Sequence, residues 1–107
     1  MDRLEKTNAL QERAMKSMPL GVNSNGRFWG KGCTPYFSRG KGSHMWDVDG
    51  NEYIDYRLGF GPVILGYAYD EVDNAVVEAI HNGVTPGITC EREVEVAETV
   101  IDMCPAV

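Results

Sequence analysis

Apolar positions recur at helical spacing near the two ends of the chain and not in its middle. Leu4, Leu10, Ala14 and Met18 form a thin stripe over residues 2–17, with Glu12 and Lys16 as an i,i+4 pair, and predict a first helix lying on a larger body. Pro19 is expected to end it, because the residue before a proline avoids the helical region. Val72, Ala75, Val76, Ala79 and Ile80 predict a second, amphipathic helix. Asp70 is its expected N-cap, Glu71 and Asp73 suit the positive end of its dipole, and Asn82-Gly83 closes it. Val94, Ala97, Val100 and Ile101 line one face of a last helix, with Thr89 as the expected cap and Pro105 as the stop.

Between these helices the pattern shortens to strands. Residues 36–39, 43–48 and 51–55 predict an antiparallel meander, turned at Gly40-Lys41-Gly42 and again at Asp49-Gly50, a two-residue hairpin turn in which both central positions need positive φ. Trp46, Tyr53 and Tyr56 are expected to form the core of the meander rather than a ligand platform. The class is α+β. The layout is a helix at 1–18, a Gly-rich loop at 19–35, the meander at 36–56, a second Gly-rich connection at 57–69 and two helices at 70–104. Those two helices carry more apolar face than so small a meander can cover.

Composition narrows the function. With 107 residues and 43% hydrophobic content, the chain suffices for one small folded domain. A net charge of −6 and the lack of a basic stripe argue against a nucleic-acid partner. No apolar run approaches membrane-spanning length, so no membrane partner is expected. The opening Met-Asp-Arg-Leu-Glu-Lys has no apolar run and is not expected to act as a signal peptide. Cys33, Cys90 and Cys104 are odd in number and make no CxxC pair, which reads as free thiols in a reducing, cytoplasmic setting. His44 and His81 lie far from each other and from any Cys pair, so no metal site is expected.

Several patterns invite chemistry that their spacing denies. Asp47-Val48-Asp49-Gly50-Asn51-Glu52 resembles a calcium loop, but its Gly falls fourth and Leu58 stands where the twelfth-position Glu belongs. The paired glycines match neither a Walker loop nor a dinucleotide fingerprint. Glu52 with Asp55, and Glu91 with Glu93, read as surface carboxylates rather than an acid–base pair. Arg27 stands in a Gly/Asn-rich loop beside Phe28 and Trp29. A solvated loop arginine is the plainer reading of that spacing; a planar guanidinium near aromatics also suits bidentate carboxylate binding.

Taken in order, three blocks carry a resemblance: Leu20-Gly21-Val22-Asn23-Ser24 with Arg27, then Asp47 to Tyr56, then Gly61-Pro62 with Leu65-Gly66. Ala75-Val76, Ala79, Gly83, Gly87, Glu91, Glu93, Val94 and Ala97 continue it. From about Ser17 to Pro105 the chain resembles the N-terminal segment of class III pyridoxal-phosphate-dependent aminotransferases, and the branch it looks most like is that of glutamate-1-semialdehyde 2,1-aminomutase. The resemblance implies the first part of a fold-type I enzyme, a homodimer with active sites at the subunit interface, and pyridoxal 5'-phosphate as cofactor of the parent enzyme. It implies that Arg27 binds a substrate carboxylate, that Ser24 lies beside it, and that Phe60 lines the substrate pocket, so that 19–35 is a substrate-side loop. It also implies that Gly87, Ile88 and Thr89 approach the cofactor of the neighbouring subunit.

Three departures qualify it. The aminomutase pattern has Pro-Val where this chain has Asn25-Gly26, Trp where it has Phe60, and His-x-His-Pro where it has Tyr67-Ala68-Tyr69-Asp70. The first two touch the pocket and favour an aminotransferase acting on an α- or β-amino acid; the aminomutase of tetrapyrrole biosynthesis is the alternative. The family's phosphate-binding turn, its acidic partner for the pyridine nitrogen and its Schiff-base lysine would lie beyond Val107, and Lys6, Lys16, Lys31 and Lys41 do not match that lysine. No catalytic residue is therefore expected within this chain, which should be inactive alone. A stand-alone, non-catalytic interaction module is the rival from another class.

Overall fold

The computed structural model describes residues 3–106, which divide between two compact units, Met1–Asp70 and Glu71–Val107. In the first, α1 (Glu5–Ala14) is followed by irregular chain with 3₁₀ turns at Pro19–Gly21 and Asn25–Arg27, and then by β1 (Phe37–Lys41), β2 (His44–Asp47) and β3 (Glu52–Ile54). A third short turn, Leu58–Phe60, completes it. The second unit holds α2 (Asp70–His81), which begins at the boundary, and α3 (Glu91–Met103).

Helix α1 is shorter than the predicted 2–17, and its buried face is polar. Thr7 and Gln11 are buried, whereas Leu4, Leu10, Ala14 and Met18 are only half covered. Leu4, at the N-cap position, supplies no side-chain bond. Asp49, far along the chain, does so instead: its carboxylate accepts the Lys6 and Thr7 amides at 2.7 and 2.8 Å, which are two of the donors a helix start leaves orphaned. Asn51 adds a two-way bond to Arg3, accepting from Nε at 3.1 Å and donating to the carbonyl at 2.9 Å. Farther along, Gln11 ties the helix to the following loop, accepting from the Gly32 amide at 2.8 Å and donating to the Gly30 carbonyl at 3.3 Å.

The predicted meander is present as an antiparallel sheet in the order β1-β2-β3. Arg39 pairs with Trp46 across the strands and lays its guanidinium 3.5 Å from the ring centroid. The β2–β3 turn differs from the predicted two-residue form. Gly50 has φ +86, but Asp49 does not share a positive φ. The Gly50 amide bonds the Asp47 carbonyl at 3.1 Å, and the Asp47 amide bonds the Asn51 carbonyl at 3.0 Å. This is a three-residue loop, a type I turn closed by a left-handed glycine. Asp47 forces the longer form: its buried carboxylate accepts the Asp49 and Asn51 amides, the Asn51 side chain and the Tyr53 hydroxyl, all at 2.8–3.0 Å.

The aromatic core expected of Trp46, Tyr53 and Tyr56 does not form. Trp46 and Tyr53 are half-buried, and Tyr56 is 88% exposed. Among the described residues no large apolar side chain is fully buried; the buried residues are Gly21 and the polar Thr7, Gln11, Thr34, Asp47 and Asp55. Polar bonding, not an oily interior, holds the first unit together.

In the second unit both helices match their predicted stripes, and both stripes are open. Val72, Val76 and Ile80 on α2, and Val94, Val100 and Ile101 on α3, are all exposed. Asp70 is the first residue of α2 rather than its cap, and its carboxylate meets the Lys41 ammonium at 2.7 Å. Thr89 is not the cap of α3. Cys90 takes that position with an extended backbone, and Glu93 reaches back to its amide at 3.4 Å, fixing the entry one residue later. Cys33, Cys90 and Cys104 are free and exposed.

Candidate functional site

A cavity of about 570 Å³ opens within the first unit. The sheet supplies one wall through Met45, Trp46 and Tyr53. The 21–29 loop supplies a second, the 57–60 turn with Tyr67 a third, and Met18 with residues 34–37 completes the lining. The volume suits a small metabolite, and apolar and aromatic surface with few charges is the usual make-up of such a site.

Two arginines give the cavity its charge. Arg27 leaves the Asn25–Arg27 turn, and its Nη1 donates to Asn23 Oδ1 at 3.0 Å. Arg57 comes from the start of the 57–60 turn. Its Nη1 donates to the Gly26 carbonyl at 2.9 Å, and its guanidinium lies 4.7 Å from the Phe60 ring centroid and 5.8 Å from that of Trp29. Neither arginine forms an ion pair among the described residues. Asp47 also borders the cavity, but its oxygens are taken up by the hairpin.

The wall bearing Arg57 and Phe60 is set by Asp55. This buried carboxylate accepts the Arg57 amide at 2.7 Å, the Leu58 amide at 3.2 Å and the Tyr67 hydroxyl at 2.8 Å. Burial by itself would raise its pKa; the bonds from Tyr67 and the two amides, with the nearby Arg57 charge, outweigh this and hold it below the usual carboxylate range. The pinned segment turns left-handed. Leu58, Gly59, Phe60 and Gly61 have φ of +50, +60, +68 and +125. Two of these are bulky residues, which disfavour this conformation by about 1–2 kcal/mol each. Such strain persists only where the surroundings impose it.

Tyr67 closes the third wall. Its amide and carbonyl pair with Gly42 at 2.8 and 2.9 Å, and its ring packs on the backbone of Gly40, where a Cβ would overlap the ring. The Tyr67 phenol has its pKa raised, first by burial and then by its bond to Asp55. The Tyr67 departure from the family pattern thus belongs to the cavity wall and not simply to a helix entry.

Of the residues singled out from the sequence, Arg27 and Phe60 both line the cavity. Ser24 is exposed and does not line it. Gly87, Ile88 and Thr89 belong to the second unit, on an exposed connection between α2 and α3. Sequence reasoning missed Arg57 and Asp55 as parts of the site. The available signal was a lone arginine opening a Gly-rich connection two residues after an aspartate, a short-range carboxylate–amide turn pattern.

No family model matches the chain. It is 44% identical over 107 residues to glutamate-1-semialdehyde 2,1-aminomutase from Persephonella marina, covering 98% of this chain and 25% of that protein. Among solved structures, an omega-transaminase from Sphaerobacter thermophilus matches 92% of this chain and 22% of its own, with a TM-score of 0.83 and 29% identity. The FumI protein of Sphingopyxis sp. MTA144, solved in its PLP internal aldimine form, covers 92% of this chain and 24% of its own, with a TM-score of 0.82 and 31% identity. The chain spans about a quarter of the length of the curated relatives it matches.

Proposed function

Because the chain belongs to the class III pyridoxal-phosphate-dependent aminotransferase family, whose members it matches over their N-terminal part, we propose that it forms the substrate-side wall of an aminotransferase active site. The observation that carries this is the convergence of Arg27 and Phe60 on one cavity from separate parts of the chain. Arg27 binds and orients the carboxylate of an amino acid. One of its donors is spent on Asn23, and the rest of its fork remains free for a bidentate contact. Phe60, with Trp29, shapes the space beside it and limits water. Ser24, exposed and outside the cavity lining, is given a supporting part next to Arg27. Gly87, Ile88 and Thr89 face the cofactor of the other subunit in a homodimer.

The residues present do not make a pyridoxal-phosphate site on their own. None of Lys6, Lys16, Lys31 and Lys41 lines the cavity, and Lys41 is engaged with the Ala68 carbonyl and Asp70, each at 2.7 Å. The cofactor therefore belongs to the complete enzyme, and this chain alone is inactive. The amine leaves the substrate in an aminotransferase; in the alternative, an aminomutase, it moves within one substrate. Its relatives include both an aminomutase and an omega-transaminase, which supports both readings.

The test is Arg27→Ala in the complete enzyme. A charge-assisted bidentate contact contributes about 1.5–3 kcal/mol, and Arg27 is exposed, so the lower end applies. KM for an amino acid should rise about tenfold, while its decarboxylated amine should be far less affected. Arg27→Lys should recover only part of the loss, because a point charge cannot reproduce the planar fork. Equal losses for both substrates would remove Arg27 from the carboxylate site.

A further inference from the structure

The cavity holds one guanidinium more than a single carboxylate requires. Arg57 enters it from the turn after β3 and docks on the Gly26 carbonyl, so the two arginines meet across one peptide unit. The Arg57 guanidinium carbon lies 4.7 Å from the Phe60 ring centroid and 5.8 Å from that of Trp29, a cation–π setting that holds the charge at the cavity wall. A guanidinium has five N–H donors, and the described protein contacts use one. Two cations in one cavity repel each other; among the described residues neither forms a salt bridge, and the carboxylates nearby, Asp47 on the cavity lining and Asp55 under the Arg57 charge, have their oxygens engaged by other donors. The cost of holding both cations there is relieved by an anionic ligand with two charged ends.

We propose that Arg57 is a second carboxylate anchor and that the cavity selects a dicarboxylic substrate, with one carboxylate on Arg27 and the other on Arg57. This rests on the reading of Arg27 as the first anchor and adds the substrate class. Asp55 is the positioning residue for the second: through the Arg57 amide it sets where that side chain leaves the backbone. A purely structural Arg57, stapling the 57–60 turn to Gly26, would weaken every substrate alike. A dicarboxylate anchor weakens one class selectively.

Two measurements on the complete enzyme separate these outcomes. The first is the ratio of kcat/KM for glutamate to that for 2-aminopentanoate, amino acids of equal carbon count differing in the distal carboxylate. Wild type should favour glutamate by about tenfold or more, and Arg57→Met should erase most of that ratio, with Arg57→Lys intermediate. The second needs no turnover. Trp29 and Trp46 both border the cavity, so titration with glutarate should change their fluorescence at a concentration about tenfold below that needed with pentanoate, and Arg57→Met should abolish the difference. An enzyme without transamination activity that still prefers glutarate would sink the proposed function and leave this inference standing. Active enzyme with no glutarate preference, or an Arg57→Met variant that lowers glutamate and 2-aminopentanoate equally, would overturn the inference.

Discussion

Asp55 offers the sharpest test of whether polar bonding sets the cavity wall. Its carboxylate is 6% exposed and accepts three hydrogen bonds at 2.7, 3.2 and 2.8 Å. Asp55→Ala leaves two amides and a phenol without that partner. A bond to a charged group nets about 1.5–3 kcal/mol, but three bonds to one carboxylate are not additive, and water re-enters the space left by truncation. A loss of about 3 kcal/mol is expected, roughly a hundredfold in the unfolding equilibrium of the first unit. Asp55→Asn keeps an oxygen for the Arg57 and Leu58 amides and places an NH₂ opposite Tyr67, whose hydroxyl must then accept instead of donate. That variant should lose about 1 kcal/mol. The assay is urea unfolding of the full chain followed by Trp29 and Trp46 fluorescence, with amide hydrogen exchange at Arg57 and Leu58 reporting the turn directly. A loss below about 0.5 kcal/mol for Asp55→Ala, or unchanged exchange at those two amides, would refute the assignment.

Gly66 has φ +83 and sits against Gly42, where a Cβ would fall 2.8 Å from the carbonyl oxygen, so Gly66→Ala should cost about 2–3 kcal/mol and expose the Tyr67 amide to exchange. Gly50→Ala, at φ +86 with nothing nearby, should cost only about 1 kcal/mol; equal melting shifts for the two would contradict the close packing. Asp47 and Asp55 both have lowered pKa values, burial opposing and hydrogen bonds prevailing, so the stability they contribute is full above about pH 4 and is lost as pH falls through their folded values. Tyr53 and Tyr67 are raised, by burial and then by bonding to those carboxylates, so their contribution is full below about pH 10 and is lost as pH rises through their folded values. An acid limb in the urea midpoint unchanged in the double variant Asp47→Asn/Asp55→Asn would overturn this account. The open stripes of α2 and α3 should make the isolated chain self-associate, and a monodisperse monomer in sedimentation with a sharp cooperative melt would count against it.

The helices and strands were legible because their signals are local. The spacing Val72, Val76, Ile80 is helical wherever it occurs, and the short strands flanking Asp49-Gly50 can hardly be read otherwise. The core of the first unit was not legible, because apolar periodicity points at apolar contacts, and this unit buries Thr7, Gln11, Asp47 and Asp55 instead. Half of the cavity was legible. Arg27 carried a family alignment and an aromatic setting. Arg57 carried neither; it reaches the Gly26 carbonyl from a segment that turns left-handed after Asp55, formed by residues that seldom adopt that conformation.

The Asp49 carboxylate at the start of α1 has a consequence for the order in which the chain acquires structure. A helix of ten residues is too short to persist alone in water. Its capping acceptor lies 42 and 43 residues downstream of the amides it satisfies. During synthesis α1 leaves the ribosome before the sheet, and its opening turn lacks the Asp49 acceptor until the β2–β3 loop has also emerged and closed a long chain loop. The first helix in sequence thus becomes a late event in time. Its docking reports that the hairpin is already in register, and a ribosome-stalled chain ending before Asp49 should show it frayed.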